Sequence, residues 1–484
     1  MEKITVRRRD FLKAISLGAV SLAMPGFAEA APRLSASASP NRKLNFVFIF
    51  IDDLGWKDVG FMGSRYYETP NVDKLAGQGV VFTNAYSNAP NCAPTRACLM
   101  SGQYTPRHGV YTVGTSERGR ANLRELIPIP NTTNLNAKIV TIPEALKPGG
   151  YTSACIGKWQ LGNKAPFRPV DQGFDVEFQR KHAGHFSKQG EYLTDRLTDE
   201  AIKFIESNKG GPFFLYLSHH AVHTPIQAKK ELIRKYNEKK PGNGHNNPAY
   251  AAMIESVDQS VGRLIGKLDE LGLAENTVVF FFSDNGGYAN ATSMVPLRGS
   301  KGMLYEGGIR VPMIVRWPGT AKPGSVCEVP VIGIDFYPTI LEMAGLPGPS
   351  GHILDGRSIV PLLKGARTLK RKAVFWHFPA YLEAYNEEQW PWRTTPAGAV
   401  RQDHWKLIEF FEDGKVELYN LKDDLSEEDD LAGIMPDKVK ELRRALAEWR
   451  KSIGAPIPTQ KNPQYDHNAR TAGKPKGTRK RKKN

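Results

Sequence analysis

The ten residues 44-LNFVFIFIDD-53 decide the fold class, because an apolar run rich in aromatic and β-branched residues ends in two adjacent carboxylates. The run is too short for a buried helix and predicts a β-strand that is buried on both faces, as in a parallel sheet. Three further runs of this kind end in polar clusters: 151–156 before Gly157-Lys158-Trp159, 212–217 before Ser218-His219-His220, and 277–282 before Ser283-Asp284-Asn285.

Helical patterns separate these strands, at residues 70–76, 142–146, 194–207 and 251–271. Alternating strands and helices predict an α/β fold, a mostly parallel sheet with helices on both faces. Ligands of such sheets bind beyond the carboxyl ends of the strands, where the four polar clusters lie.

The pattern changes near residue 373 to short strands in series, followed by a charged amphipathic helix over 436–453. We therefore predict a catalytic domain at 44–365 and a smaller α+β subdomain at 366–458. This subdomain has an antiparallel sheet and a helix, and it packs on the first domain.

The N-terminus has the form of an export signal: an arginine cluster, an apolar run over 14–23 and Ala28-Glu29-Ala30 as a cleavage site. Arg8-Arg9 resembles the twin-arginine signal, whose machinery exports folded proteins. The apolar run is too short for a stable membrane anchor. We expect a signal peptide at 1–30, a linker at 31–43 and a periplasmic or secreted bacterial protein.

The formal charge of +16 is concentrated near the C-terminus, where the last fifteen residues hold eight basic and no acidic side chains. We predict that residues 459–484 form a basic disordered tail. A moderately basic body suits a polyanionic substrate, and this distribution argues against nucleic-acid binding.

The carboxylates Asp52 and Asp53, at one strand end, have an ordinary alternative role in capping a helix. Asp284 and Asn285, at another strand end, are equally compatible with a turn. Taken together, the four side chains form an oxygen-only set that suits calcium or magnesium rather than zinc.

The chain has four cysteines, which are too few for a disulfide scaffold at this length, although a bridge between Cys92 and Cys98 is conceivable. Cys92 opens the motif C-x-P-x-R in 91-NCAPTRACLM-100, which resembles the signature of the formylglycine-dependent type I sulfatases. These arylsulfatase-like enzymes belong to the alkaline phosphatase superfamily. Further blocks resemble the family in the expected order: FVFIFIDDLGW, YYETPNVDKLAGQGVVFTNAY, GKWQLG, SHHAVHTP, FFSDNGG, PLRGSKGMLYEGGIRVP and DFYPTILEMAG.

The resemblance implies an alkaline-phosphatase-like fold and a sulfatase whose Cys92 is oxidised to formylglycine by a separate maturation enzyme. The hydrated aldehyde supplies the attacking hydroxyl and releases sulfate by reforming the aldehyde, whereas a serine would give a stable ester. The implied calcium ligands are Asp52, Asp53, Asp284, Asn285 and the modified Cys92. The other implied roles are support of the formylglycine hydrate by Arg96, binding of sulfate oxygens by Lys158 and Lys301, and general acid catalysis by His223.

One position departs from the family pattern, since Gln160 stands where members commonly have a histidine that takes a proton from the hydrate. Glutamine cannot act as a base at neutral pH. The role then passes to His219, His220 or water, or turnover is slower.

The expected substrate is a sulfated carbohydrate, and two alternatives stay open. One is a phosphomonoester or phosphonate hydrolase with the same metal ligands; the other is a noncatalytic binder of sulfated glycans. His182 and His185 either contact a sugar or belong to a surface loop. The aromatic stretch 381–392 either lines a sugar pocket or packs at the seam between the domains.

Overall fold

The computed structural model describes residues 43–179, 184–385 and 391–472, which belong to one compact unit. The predicted signal peptide at 1–30 and linker residues 31–42 lie outside the described residues. In chain order the strands are β1 (Asn45–Ile51), β2 (Val80–Phe82), β3 (Ala85–Tyr86), β4 (Thr152–Gly157), β5 (Val176–Phe178), β6 (Phe213–Ser218), β7 (Thr277–Ser283), β8 (Met313–Arg316), β9 (Ser325–Cys327), β10 (Val331–Ile332), β11 (Val374–Phe378), β12 (Leu382–Glu383), β13 (Trp392–Thr394), β14 (Ala397–Gln402), β15 (Trp405–Phe410) and β16 (Val416–Asn420).

The α-helices of the same residues are α1 (Pro70–Gln78), α2 (Cys92–Ser101), α3 (Thr105–His108), α4 (Ile142–Leu146), α5 (Leu193–Asn208), α6 (Lys230–Asn237), α7 (Pro248–Glu270), α8 (Glu306–Ile309), α9 (Phe336–Ala344), α10 (Val360–Leu363), α11 (Pro436–Ile453) and α12 (His467–Ala472). Among these helices, none combines the length and the apolar character that crossing a membrane requires.

The main sheet has the strand order β5-β4-β6-β1-β7-β8-β2-β9. The four strands predicted from apolar runs, β4, β6, β1 and β7, are adjacent and parallel. Only β8 of this sheet runs antiparallel to its neighbours, β7 and β2. The predicted mixed, mostly parallel sheet is confirmed, and the carboxyl ends of the four central strands meet at one edge.

Strand β1 contributes to a core on each face of the sheet. Phe46, Phe48 and Phe50 pack in one core with α2, α4 and α9. The alternate residues Val47, Ile49 and Ile51 pack in the other core, with α1, α5 and α7. This two-sided burial explains why the sequence of β1 is continuously apolar and does not alternate with polar residues.

The C-terminal sheet is antiparallel, in the order β11-β14-β15-β16, as predicted. Leu442 and Leu446 of α11 pack on Val400, Leu407 and Leu418. Burying each such leucine contributes roughly 1.5–3 kcal/mol. The opposite face of the sheet joins a core that includes residues of α2 and α8, so this sheet supports the helix that begins at Cys92.

The predicted disordered tail begins too early. Residues 459–472 continue along the body, where Asn462 donates from its side chain to the carbonyl oxygens of Ala121 and Arg124. Arg470 of α12 forms an ion pair with Glu412 at 3.0 Å. These specific contacts hold a segment that composition alone assigned to the tail; residues 473–484 lie outside the described residues.

Candidate active site

Two pairs of side chains, at the ends of β1 and β7, form the centre of the site. Asp53 donates from its backbone nitrogen to Asp284 Oδ1 at 3.1 Å, and Asn285 Nδ2 donates to Asp53 Oδ1 at 2.8 Å. Asp53 has a φ of 63°, in the left-handed region that aspartate tolerates better than most residues. Successive side chains of a strand point to opposite faces of the sheet, and this turn ends that alternation. Asp52 and Asp53 therefore both reach the same site.

Three cationic side chains surround these carboxylates. Arg96 Nη2 of α2 donates to Asp284 Oδ2 at 2.7 Å. Lys158 Nζ, just beyond β4, contacts Asp52, and Lys301 Nζ donates to Asp53 Oδ2 at 2.7 Å. The site therefore contains three acidic and three basic groups in direct contact.

Arg96 is held at both ends of its guanidinium group. Its Nη1 donates to the carbonyl oxygen of Lys158 at 3.0 Å and contacts Ser218 Oγ at the end of β6. Its Cζ lies 4.9 Å from the centroid of the Phe50 ring. The orientation of Arg96 thus depends on β1, β4 and β6 together.

Cys92 is the first residue of α2, and Asn91 caps this helix by accepting from the Cys92 nitrogen at 3.3 Å. Ligand atoms of Cys92, Asp52 and His223 all lie within 4.8 Å of one another. All four cysteines are free thiols, so the conceivable bridge between Cys92 and Cys98 is not formed. The thiol therefore stands directly beside the carboxylate cluster.

The charges of the carboxylates are unevenly stabilised. Burial by itself raises the pKa of Asp52, but the surrounding cations, Lys158 foremost, hold that pKa well below its usual range. The pKa of Asp284 is raised to about 7, first by burial and then by the negative charge of Asp52. Additional positive charge at this point favours the ionised form of both groups.

The donor set fits a hard divalent cation. Oxygen atoms of Asp52, Asp53 and Asp284 lie within 4.8 Å of one another. Asp52 Oδ1 and Asn285 Oδ1 are buried acceptors that have no hydrogen-bond partner within residues 43–179, 184–385 and 391–472. Buried acceptors normally have a partner, and carboxylate and amide oxygens are ligands that calcium prefers.

The histidines after β6 have different positions. His223 lies at the edge of the cavity with Nδ1 at 2.7 Å from the Thr224 carbonyl oxygen, which assigns the proton to Nδ1 and leaves Nε2 3.8 Å from Asp53 Oδ2. His219 lies behind the site, 3.1 Å from Ser260 Oγ, and burial lowers its pKa to about 3. Of the two candidates to replace the missing histidine base, the structure brings His220 to the cavity and not His219.

Gln160 also lines the cavity, with a φ of 64°. Its Oε1 is buried and has no hydrogen-bond partner among the residues that the structure describes. An amide oxygen in this state is suited to accept a hydrogen bond from a hydroxyl group that enters the cavity.

Most of the predicted site residues line one cavity of about 600 Å³. Its wall is formed by Asp52, Asp53, Asn91, Cys92, Val113, Arg118, Lys158, Trp159, Gln160, Gln179, His220, His223, Thr224, Tyr288, Lys301, Tyr385 and Arg393. Arg96, Asp284 and Asn285 lie beneath it, where they contact the lining carboxylates.

Sequence reasoning missed several residues of this wall, notably Arg118, Tyr288 and Arg393. Tyr288 directly follows Ser283-Asp284-Asn285-Gly286-Gly287, so its position beyond β7 was a usable signal. Arg393 directly follows the aromatic stretch 381–392, which was likewise a usable signal, whereas no local pattern marks Arg118.

The remaining candidates are only partly accounted for. His182 lies outside the described residues, whereas His185 is buried with Nε2 2.9 Å from the His223 carbonyl oxygen. In the aromatic stretch, Tyr385 lines the cavity, while Tyr381 and Trp392 pack together with Leu123.

Comparison with known proteins agrees with this geometry. The sulfatase family profile matches residues 44–346, and the profile described as N-sulphoglucosamine sulphohydrolase, C-terminal, matches residues 300–452. The chain belongs to the sulfatase family. It is therefore a sulfuric ester hydrolase, built on the alkaline-phosphatase-like fold.

Three known proteins illustrate what this sulfatase is similar to. A sulfatase of Formosa agariphila is 33% identical, over 86% of this chain and 90% of that protein. The human N-acetylgalactosamine-6-sulfatase is 31% identical, over 74% of each chain. The crystal structure of Ps i-CgsB in complex with k-i-k-neocarrahexaose superposes with a TM-score of 0.73 at 27% identity, covering 89% of this chain and 97% of that one.

Proposed function

We propose that this sulfatase hydrolyses a sulfate monoester on a carbohydrate, with a formylglycine derived from Cys92 and a bound calcium ion. The observation that carries the proposal is the position of Cys92 within 4.8 Å of Asp52 and His223, at a cavity whose base holds three carboxylates and three cations. The names of the human relative and of the saccharide complex support a carbohydrate substrate. Tyr288 and Tyr385 in the wall offer surfaces on which a sugar ring can pack.

Calcium would be held by Asp52, Asp53, Asp284 and Asn285, together with the group at position 92. When bound, the ion polarises the sulfate group and lowers the pKa of the attacking hydroxyl. The formylglycine hydrate would supply that hydroxyl and, by reforming the aldehyde, a route for releasing sulfate.

The side chains of the chain itself orient the sulfate and move protons. Lys158 and Lys301 bring two ammonium groups to the carboxylate pair, where sulfate oxygens would accept hydrogen bonds from them. His223 Nε2 faces the cavity while Nδ1 is held by the Thr224 carbonyl oxygen. We infer that His223 acts in its imidazolium form and donates the Nε2 proton to the leaving oxygen, while Nδ1 keeps its own proton.

Arg96 fixes the position of residue 92 relative to the carboxylates. It begins one turn after Cys92 in α2 and reaches Asp284 at 2.7 Å. Arg96 is fully buried and contacts the Phe50 ring, the Lys158 carbonyl oxygen and Ser218 Oγ. It therefore fixes a positive charge beneath the reacting group and does not move with the substrate.

Replacing Gln160 by histidine is expected to leave kcat unchanged or to raise it by up to about tenfold, since a base would be restored beside the hydrate. The measurement is the steady-state rate on a sulfate ester, compared with the parent enzyme and with Gln179→His as a control elsewhere in the cavity wall. A loss greater than about tenfold would contradict the proposed position of Gln160.

Export is part of the proposal and rests on the residues before position 31. A protein exported folded must receive its formylglycine in the cytoplasm, so the maturation enzyme acts before the twin-arginine machinery. Protein collected outside the cytoplasm should begin after Ala30, which N-terminal sequencing tests; an intact N-terminus would contradict export by this signal.

The mass of the peptide that spans Cys92 tests the chemistry directly. Protein from the native host should carry an aldehyde at position 92 and be lighter by the difference between thiol and aldehyde. The same preparation, supplied with calcium, should hydrolyse sulfate esters in preference to phosphate and phosphonate esters. An unmodified thiol would point to a noncatalytic glycan binder, and a preference for phosphorus esters would support the alternative hydrolase.

A further inference from the structure

Arg393 occupies an unusual place in the cavity wall. It lies on β13, and its Cζ is 3.7 Å from the centroid of the Tyr385 ring. On another side it covers Gly302, where an added Cβ would lie 2.6 Å from Arg393 Nε. The guanidinium group is thus stacked on an aromatic ring and held next to the residue that follows Lys301.

The charge of Arg393 is poorly compensated by the protein. Its Nε and Nη1 atoms are buried and have no hydrogen-bond partner in the described part of the chain. Two other guanidinium groups of the described residues do have carboxylate partners, since Arg371 has Asp335 at 2.7 Å and Arg450 has Glu409 at 2.6 Å. A buried charge without such a partner is costly, so it favours binding of an anion.

A second arginine adds to the positive charge of this wall. Arg118 lines the same cavity and lies 3.5 Å from Glu383, which compensates part of its charge. Burial, and then the charge of Arg118, lowers the pKa of Arg393 to about 10. At neutral pH Arg393 still carries its proton and offers a full positive charge to a ligand.

The two arginines are held in place by the backbone. Gly119, next to Arg118, donates from its nitrogen to Glu383 Oε1 at 3.1 Å, and Tyr381 donates to the Ser116 carbonyl oxygen at 3.2 Å. These bonds fasten the Arg118 loop to the hairpin of β12 and β13. The wall is therefore organised before any ligand arrives, which reduces the entropy cost of binding.

We propose that Arg393, with Arg118 beside it, binds a second anionic group of the substrate, in addition to the sulfate that is hydrolysed. This inference rests on the proposed function. Lys158 and Lys301 serve the reacting sulfate, whereas Arg393 contacts neither Asp52 nor Asp53 and is free to recognise another group. Because Arg393 lies over Gly302, the second anion belongs to the same sugar ring or the adjoining one. Its chemistry is that of a sulfate ester or a carboxylate, both of which match the planar fork of arginine.

The test measures binding by calorimetry, in the presence of calcium, to full-length protein carrying Cys92→Ala, which does not turn the ligand over. Three saccharides of one backbone are compared: one with a single sulfate, one with a second sulfate, and one with a carboxylate in that place. The doubly charged ligands should bind about 10- to 100-fold more tightly than the singly charged one. The ratio between the sulfate and carboxylate forms identifies which anion the subsite prefers.

Adding Arg393→Ala should reduce this preference to less than about threefold, while affinity for the singly charged ligand stays within about twofold. Arg393→Lys should retain part of the preference, because it keeps the charge and loses the fork. Arg444→Ala, at a largely exposed arginine, is the matched control and should change nothing. Thermal unfolding should show that Arg393→Ala folds.

An unchanged preference in Arg393→Ala would overturn the inference, and so would an equal loss of affinity for all three ligands. The absence of any preference in the parent protein would overturn it as well. A failure of the proposed function is a separate result, since it would appear as absent turnover by the matured Cys92 enzyme.

Discussion

Replacing Cys92 by alanine is expected to lower kcat/KM for sulfate esters by on the order of 10⁴-fold or more, because no aldehyde can then form at the head of α2. Alanine is a good helix former and fills less space than cysteine at this buried position, so the fold should persist. The measurement is turnover by purified, calcium-supplied protein, with circular dichroism to verify folding.

Cys327→Ser provides the matched control for this substitution. Cys327 is a free, half-buried thiol on the short strand β9 and does not line the cavity. Its replacement should leave turnover within about twofold of the parent. Retained activity in Cys92→Ala would show that the nucleophile lies elsewhere, whereas a comparable loss in Cys327→Ser would indicate a general effect of removing thiols.

The sequence was sufficient to predict the central sheet because its strands are buried on both faces. Continuous apolar runs marked β1, β4, β6 and β7, and polar residues marked where each one ends. The edge strands β5 and β9 have three residues each, and Val176 and Val326 are exposed. Strands this short and this exposed have no apolar pattern, so they are defined only by pairing with a neighbour.

The structure brings into one cavity those predicted residues whose position is fixed by the end of a strand or by a motif, as for Asp52, Lys158 and Cys92. The sequence leaves open the positions at which side-chain orientation decides. His219 and His220 are consecutive, yet one ring turns towards Ser260 and the other towards the cavity. Sequence shows that both are histidines but not which face each occupies, since successive side chains of extended backbone point in opposite directions.

The cavity also depends on segments that are distant in sequence. Lys301 is held by a loop whose backbone bonds to Gly287 and whose next residue, Gly302, donates to the Pro90 carbonyl oxygen at 2.7 Å. Further along, Glu306 pairs with the fully buried Lys406 of β15 at 2.9 Å. The C-terminal sheet thereby supports the loop that presents Lys301, and so connects a subdomain that is remote from Cys92 in sequence to the site.

Replacing Asp53 by asparagine should reduce kcat/KM by about 10³-fold or more and weaken calcium binding, because a negative ligand is lost at nearly constant shape. In the parent structure the buried Lys301 ammonium group lies 2.7 Å from Asp53 Oδ2, and the substitution leaves it without this carboxylate partner. Loss of one partner of a buried pair costs about 3–5 kcal/mol, but removing the Asp53 charge also relieves its repulsion of Asp284, whose pKa is raised chiefly by burial. These effects oppose each other, so the variant should fold.

Calcium-dependent stability separates loss of metal from loss of catalysis in this variant. For the parent protein, calcium at a hundred times its Kd should stabilise the fold by about 2.7 kcal/mol and raise the melting temperature measurably. Asp53→Asn should lose most of that shift, whereas the exposed control Asp437→Asn, at the start of α11, should retain it together with full turnover. A full calcium shift in Asp53→Asn combined with lost turnover would mean that Asp53 orients Lys301 and is not a metal ligand. Normal turnover in Asp53→Asn would remove the carboxylate cluster from the mechanism altogether.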